Sequence, residues 1–137
     1  MAATFELEIA TPERLLVSER AVSAQIPAEN GYIGVLPEHA PLFAQLGIGA
    51  LSYVNEADRH FTLVVSQGFI EVRGNHVRVL ADVAELSSEI DLAAAEKALR
   101  EAQERMAHPA PDSDVNAVLI GYRNAMARVE TAKESRA

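Results

Sequence analysis

The chain has 137 residues, with no cysteine and no tryptophan. The missing cysteine excludes a disulfide framework, a thiolate metal site and a cysteine nucleophile, and it fits a reducing compartment. Aromatic residues make up only 5% of the sequence. No stacking platform for single-stranded nucleic acid is therefore expected.

Positive charge is also scarce, with 12 Lys and Arg residues against 20 Asp and Glu, for a net charge of -8. This balance opposes phosphate binding, so we expect no nucleic-acid partner. Long apolar runs are missing, and the first twenty residues carry four glutamates. We therefore expect no signal peptide and no direct membrane insertion, and any membrane association must come through a partner.

Catalytic motifs are absent as well. The histidines form no i,i+4 pair and no HExxH motif, and no phosphate-binding loop or G-x-S-x-G elbow occurs. Gly47-Ile-Gly49 is a bare GxG that is typical of a turn. The sequence predicts a non-enzymatic module with no catalytic residue, no metal and no cofactor. A cupin-like enzyme barrel would need clustered metal-binding histidines. The histidines stand at four scattered positions: His39, His60, His76 and His108.

The first half of the chain has the period of β-strands. Apolar and polar residues alternate over 5–9 and 22–26, and β-rich runs occupy 61–65, 69–72 and 77–80. Six of the seven glycines lie before residue 87, as many turns require. This pattern predicts an antiparallel β-sandwich, or flattened barrel, over residues 1–86.

The second half, residues 87–137, has the period of helices. Ser88–Asp91 resembles a capping box, and an apolar stripe runs from Leu92 to Met106. Two prolines near residue 110 end this helix, and Asp112 or Ser113 then offers a cap for a second one. A second stripe follows: Val115, Val118, Leu119, Tyr122, Met126 and Val129. The chain is thus predicted to be an α+β protein that ends in an antiparallel two-helix hairpin.

The seam of this hairpin is rich in alanine, which buries little apolar area. Each helix is also close to the length at which isolated helices are marginal in water. A weakly docked hairpin with two positions and a permanently packed hairpin are both consistent with this composition.

A stiff, apolar loop carries the most specific motif. Gly34-Val-Leu-Pro-Glu-His-Ala-Pro-Leu42, followed by Leu46-Gly-Ile-Gly-Ala-Leu51, resembles the epsilon subunit of bacterial and chloroplast F-type ATP synthases. Further similar segments begin at Thr11, Gly68 and Asn75, so the resemblance covers nearly the whole chain. Gln67 stands where many members of the family have a second glycine, which we interpret as a change in a strand-end turn.

The resemblance implies a β-sandwich with a C-terminal helical hairpin, and a role without an active site of its own. The implied partners are the gamma subunit, the c-ring and the alpha/beta catalytic head, in a hetero-oligomer with a single copy of this chain. The implied role is a rotor component of the central stalk that couples proton flow to ATP synthesis. The implied location is the cytoplasmic face of the bacterial cell membrane, and the hairpin is expected to inhibit ATP hydrolysis.

The resemblance also assigns contact residues by position. The expected c-ring contacts are Gly31, Tyr32, Glu38 and His39. The expected gamma contacts are Thr11, Leu42 and Phe43. In the locally basic second helix, the candidate contacts to the beta subunits are Arg123, Arg128 and Lys133, whose alternative is an ordinary solvated helix face.

Some members of the family bind ATP between the helices, which leaves a stand-alone ATP-sensing module as the alternative function. The candidate ATP contacts are Glu85, Asp91, Arg123 and Arg128. Ala94 replaces the arginine of the family motif, and carboxylates without their cation repel phosphate.

Overall fold

The computed structural model describes residues 3–135 and contains six strands followed by two helices. A short 3₁₀ helix, Ser87–Glu89, joins the two parts and is referred to below as the linker. The helices are α1 (Leu92–Ala107) and α2 (Val115–Ser135). The strands are β1 (Phe5–Ala10), β2 (Leu15–Ala28), β3 (Gly31–Val35), β4 (Leu42–Asn55), β5 (His60–Arg73) and β6 (His76–Leu86).

The strands follow the order β1-β6-β5-β4-β2-β3, and β1 also pairs with β2, so that the sheet closes into a flattened barrel. The predicted sandwich of β-strands followed by a helical hairpin is thus confirmed. One pairing differs from the antiparallel expectation, because β1 runs parallel to β6. This pairing closes the barrel, since it brings the first and last strands of the sandwich together.

The core of the sandwich follows from the alternation of the strands. Phe5, Leu7 and Ile9 are fully buried, whereas Glu6 and Glu8 between them face outwards. The same period buries alternate residues of the other strands. Their fully buried side chains are Ile26, Leu51, Leu63, Val65, Ile70 and Val79.

Strand β5 carries a kink at its centre. Gln67 has φ 57° and Gly68 has φ 138°, both in the region that favours glycine. A Cβ at Gly68 would overlap the carbonyl oxygen of Leu80 and lie 3.0 Å from the Cα of Ala81. Our placement of Gln67 in a strand-end turn was therefore wrong, because both residues lie within a strand that pairs on both sides.

The helix starts differ from the predicted caps. Asp91, rather than Ser88, caps α1 by accepting a hydrogen bond of 3.1 Å from the Ala94 backbone, because the linker already uses Ser88. Asp114, rather than Asp112 or Ser113, caps α2 through the backbone amides of residues 116 and 117. Residues 136 and 137 of the predicted helical region lie outside the described residues.

The hairpin is packed mainly near the sandwich. Helix α2 lies against β4 and β5, and the two helices lie against each other. The predicted stripes hold only in part, because Met106, Val115 and Leu119 at the far end are exposed. The cluster that joins hairpin and sheet consists mostly of small residues: Val64, Ile90, Ala95, Ala127, Val129 and Ala132.

Candidate functional site

The loop after β3 is held in a tight turn. The His39 amide donates a hydrogen bond of 3.2 Å to the carbonyl of Leu36, and Glu38 takes φ 66°. Pro37 followed by a residue of positive φ is the pattern of a type II turn. The Glu38 amide donates to the side chain of Asn75 at 3.0 Å, which ties the loop to the β5–β6 turn. The loop is thus ordered before any partner arrives.

His39 has a shape-holding role in this loop. Its Nδ1 lies 2.7 Å from the carbonyl oxygen of Ala40, and a carbonyl can only accept, so the imidazole donates through Nδ1. This bond folds the ring back onto its own segment. The arrangement fits a contact or structural residue.

The four expected c-ring contacts do not form one compact site. Gly31 and Tyr32 begin β3, whereas Glu38 and His39 follow its end. Five residues of strand span about 16 Å. Tyr32 is 60% exposed and lies over the sheet, since a Cβ at Gly49 would be 3.0 Å from its hydroxyl. A partner that contacts both pairs must therefore extend along this edge of the sandwich.

An exposed apolar surface, here called the aromatic patch, is formed by Phe43, Phe69 and Leu80. Phe43 is 67% exposed and stacks on Phe69 at a centroid distance of 5.4 Å. Leu80 is the register partner of Phe69 on β6 and is 48% exposed. Exposed apolar groups that cluster in this way mark interaction surfaces. Sequence analysis found Phe43 but missed the other two, which only the strand register brings beside it.

The other two expected gamma contacts have different environments. Leu42 is half-buried and packs against the core of the sandwich, because it faces inwards where Phe43 faces outwards. Thr11 lies in the β1–β2 turn, where its hydroxyl accepts hydrogen bonds from the amides of residues 13 and 14. The preceding Ala10 pairs with Leu80, which places Thr11 at the border of the aromatic patch.

Two ion pairs lie where the sandwich meets the hairpin. Arg128 of α2 binds Glu85 at the end of β6 through two contacts, at 2.9 Å from Nε and 3.4 Å from Nη2. Arg14 of the β1–β2 turn binds Glu89 of the linker in the same two-pronged way, at 2.9 and 3.4 Å. The hydrogen bond and the charge of Glu89 raise the pKa of Arg14, and the same bond lowers the pKa of Glu89. Sequence analysis missed both residues of this second pair.

The four candidate ATP contacts do not converge on one binding site. Glu85 and Arg128 bind each other, and Asp91 is occupied as the cap of α1. Arg123 is exposed and lies elsewhere, in a cleft between α2 and β4 that Tyr32 also lines. Lys133 is exposed near the end of α2. Among residues 3–135, no group of three metal-ligating side chains is present and no helix is both long and apolar enough to cross a membrane.

Comparison with known protein families covers both parts of the chain. Residues 4–87 match the β-sandwich domain of the ATP synthase delta/epsilon chain, and residues 88–133 match its long α-helix domain. The ATP synthase epsilon chain of Solibacter usitatus is 50% identical over 133 residues, which is 96% of this chain and 98% of that one. The epsilon chain of Koribacter versatilis is 44% identical over 112 residues, covering 82% and 78%.

Solved structures show the same architecture. A chain of the Euglena gracilis mitochondrial ATP synthase, in a structure of its OSCP, F1 and c-ring, matches with a TM-score of 0.78. It is 26% identical, and the match covers 98% of this chain and 82% of that one. A chain of the Tetrahymena thermophila ATP synthase central stalk and c-ring matches with a TM-score of 0.61 at 12% identity, which shows the fold alone.

The sandwich and the long-helix domain define a non-catalytic subunit of the delta/epsilon type. The chain belongs to the family of ATP synthase epsilon chains of the bacterial type. It is therefore a component of ATP synthase, the enzyme that links proton transport to ATP synthesis.

Proposed function

We propose that the sandwich of this epsilon chain binds the gamma subunit and the polar loops of the c-ring, at the cytoplasmic face of the bacterial cell membrane. In this role it transmits rotation of the ring to the alpha/beta head. The observation that carries the proposal is the pairing of a preordered loop with an exposed aromatic patch on one rigid barrel. Preordered surfaces lose little conformational entropy when they dock.

Gamma binds at the aromatic patch in this proposal. Two stacked phenylalanines beside an exposed leucine form the kind of apolar anchor on which protein interfaces depend. Phe69→Asp places a charge in the patch, and we expect it to weaken co-purification with gamma by at least tenfold. Ala57→Asp is the control, because it adds the same charge at an exposed residue of the β4–β5 turn, at the opposite end of β4 from Phe43. Equal loss of gamma in both variants would contradict this assignment.

The c-ring binds along the edge that runs from Tyr32 to His39. The exposed ring of Tyr32 and the tight turn at Glu38 and His39 offer two contact points that β3 keeps at a fixed separation. Photo-crosslinkers at Tyr32 and at Glu38 should each react with the c-subunit in the assembled enzyme. A crosslinker at Arg59, in the turn at the other end of β4, should not do so.

The hairpin inhibits ATP hydrolysis when it leaves the sandwich and enters the catalytic head, where Arg123 and Lys133 meet acidic segments of the beta subunits. What supports this role is the limited packing of the hairpin, since half of the buried residues at its seam are alanines and its far end exposes Met106, Val115 and Leu119. Deletion of residues 88–137 should raise the ATPase rate of the assembled enzyme and leave its subunit composition unchanged. An unchanged rate would refute the inhibitory role.

A further inference from the structure

The hairpin and the sandwich share few strong contacts. The cluster at the seam is small: its buried residues from α2 are Ala127, Val129 and Ala132, which meet the sheet and α1. Each alanine buries a single methyl group, which is worth about 0.8 kcal/mol. The side-chain oxygens of Ser66 and Asn124 are buried and have no hydrogen-bond partner among the described protein residues. Burial of such groups opposes docking.

One ion pair bridges the helices and the barrel. Among residues 3–135, the pair of Glu85 and Arg128 is the single ion pair that joins α1 or α2 to a strand. Its side chains are 26% and 29% exposed, so water and salt screen it less than a fully exposed pair. Arginine and carboxylate in two-pronged contact form one of the stronger side-chain interactions. The pair is thus a strong and directional contact between α2 and β6.

The second ion pair attaches a different segment. Arg14 holds Glu89, which belongs to the linker and precedes both helices. Between the linker and α1 lie only Ile90 and Asp91, both with extended backbone at ψ 124° and 106°. A change in their dihedral angles would reorient the whole hairpin without breaking the bond between Arg14 and Glu89.

We propose that the Glu85–Arg128 ion pair is the latch that holds the hairpin on the sandwich. The hairpin pivots at Ile90 and Asp91, while Arg14 and Glu89 keep the linker in place in both positions. This inference rests on the proposed release of the hairpin and adds what controls it. Glu85 and Arg128, which were candidate ATP contacts by resemblance, bind each other in this chain.

The latch is testable by distance measurement on the full chain, because the sequence contains no cysteine to interfere with labelling. Spin labels are placed at Glu56→Cys, in the β4–β5 turn, and at Val115→Cys, at the far end of α2. Double electron–electron resonance then reports the docked and released populations. Arg128→Ala should raise the ratio of released to docked chains about tenfold, and should remove most of its dependence on salt.

Two further variants serve as controls. Arg14→Ala deletes the same charge from a similar two-pronged pair, and it should leave the released fraction within twofold of the parent. The exchange Glu85→Arg with Arg128→Glu should restore docking if the pair itself is the latch. Parent-like distances in the Arg128→Ala chain would overturn the proposal, as would equal release in the Arg14→Ala chain.

Failure of the latch and failure of inhibition are distinguishable. The latch concerns the distance distribution of the isolated chain, whereas inhibition concerns the ATPase rate of the assembled enzyme. Release of the hairpin in the Arg128→Ala chain would support the latch. If deletion of the hairpin then left the ATPase rate of the assembled enzyme unchanged, the inhibitory role would be refuted while the latch stood.

Discussion

Substitution of Gly68 by alanine tests whether the kink in β5 builds the aromatic patch. The new Cβ would overlap the backbone carbonyl oxygen of Leu80 and lie 2.9 Å from its carbonyl carbon. Because both obstacles are backbone, only a shift of β5 against β6 can relieve the overlap. Forcing a strand apart costs about 1–3 kcal/mol, and φ 138° adds about 1–3 kcal/mol for a residue with a side chain.

We therefore expect Gly68→Ala to lower the free energy of unfolding by about 2–6 kcal/mol. Urea unfolding measures this loss as a lower midpoint with an unchanged slope. Gly121→Ala is the matched control, since nothing lies within 4 Å of a Cβ there and alanine favours a helix by about 1 kcal/mol. The two identical substitutions should thus act with opposite sign.

A second measurement connects this kink to function. Phe69 and Leu80 lie on either side of the Gly68 contact, so a shift of the strands also displaces the patch. Gamma binding by the folded fraction of the Gly68→Ala chain should fall, whereas Gly121→Ala should leave it unchanged. If Gly68→Ala lowered the free energy of unfolding by less than about 1 kcal/mol and left gamma binding normal, the predicted overlap with Leu80 would be contradicted.

Three further predictions concern Gln67, Glu38 and Tyr53. Gln67→Gly should stabilise the chain by about 0.5 kcal/mol in urea unfolding. Glycine removes the strain of a side chain at φ 57°, and this gain is larger than the entropy that glycine loses on folding. Gln67→Val should destabilise the chain. Glu38→Gly should also stabilise the chain slightly, because Glu38 takes φ 66° at a turn position that favours glycine, but it should weaken c-ring binding, because it removes the exposed side chain at this contact. Tyr53 donates a 2.7 Å hydrogen bond to Glu19, and burial, followed by that bond, raises its pKa. The contribution of Tyr53 to the free energy of unfolding is therefore complete below a pH of about 10 and is lost at higher pH. Tyr53→Phe should remove one proton from the alkaline pH dependence of the free energy of unfolding, measured by urea unfolding.

The sequence predicted the features that depend on local period. Alternation in β1 located its buried residues, and the loss of glycine after residue 87 located the helices. The hydrophobic stripe of α2 was less reliable, because Val115 and Leu119 have helical spacing but extend past the sheet that would cover them. A period shows which residues share a face and does not show how far the opposing surface reaches.

Features that depend on which strands and helices pair in three dimensions could not be predicted from the sequence. The parallel pairing of β1 with β6, and the stacking of Phe43 on Phe69, join residues that are far apart in the chain. The caps failed for a related reason, since a 3₁₀ turn inserted before α1 moved the helix start from Ser88 to Asp91. Glu85 and Arg128 were selected by resemblance as ligands of a nucleotide, and their binding to each other became visible only in three dimensions.

The two halves of the chain have opposite energetic characters, and composition explains both. The barrel buries large branched and aromatic side chains such as Phe5, Leu63 and Ile70, so its contacts hold partner surfaces at fixed positions. The hairpin buries mostly small residues and, in our proposal, is held by one ion pair, so modest changes in charge or salt should shift its position. In the proposed role the first property transmits torque. The second property lets the hairpin respond, since a seam filled with larger side chains would be too stable to open.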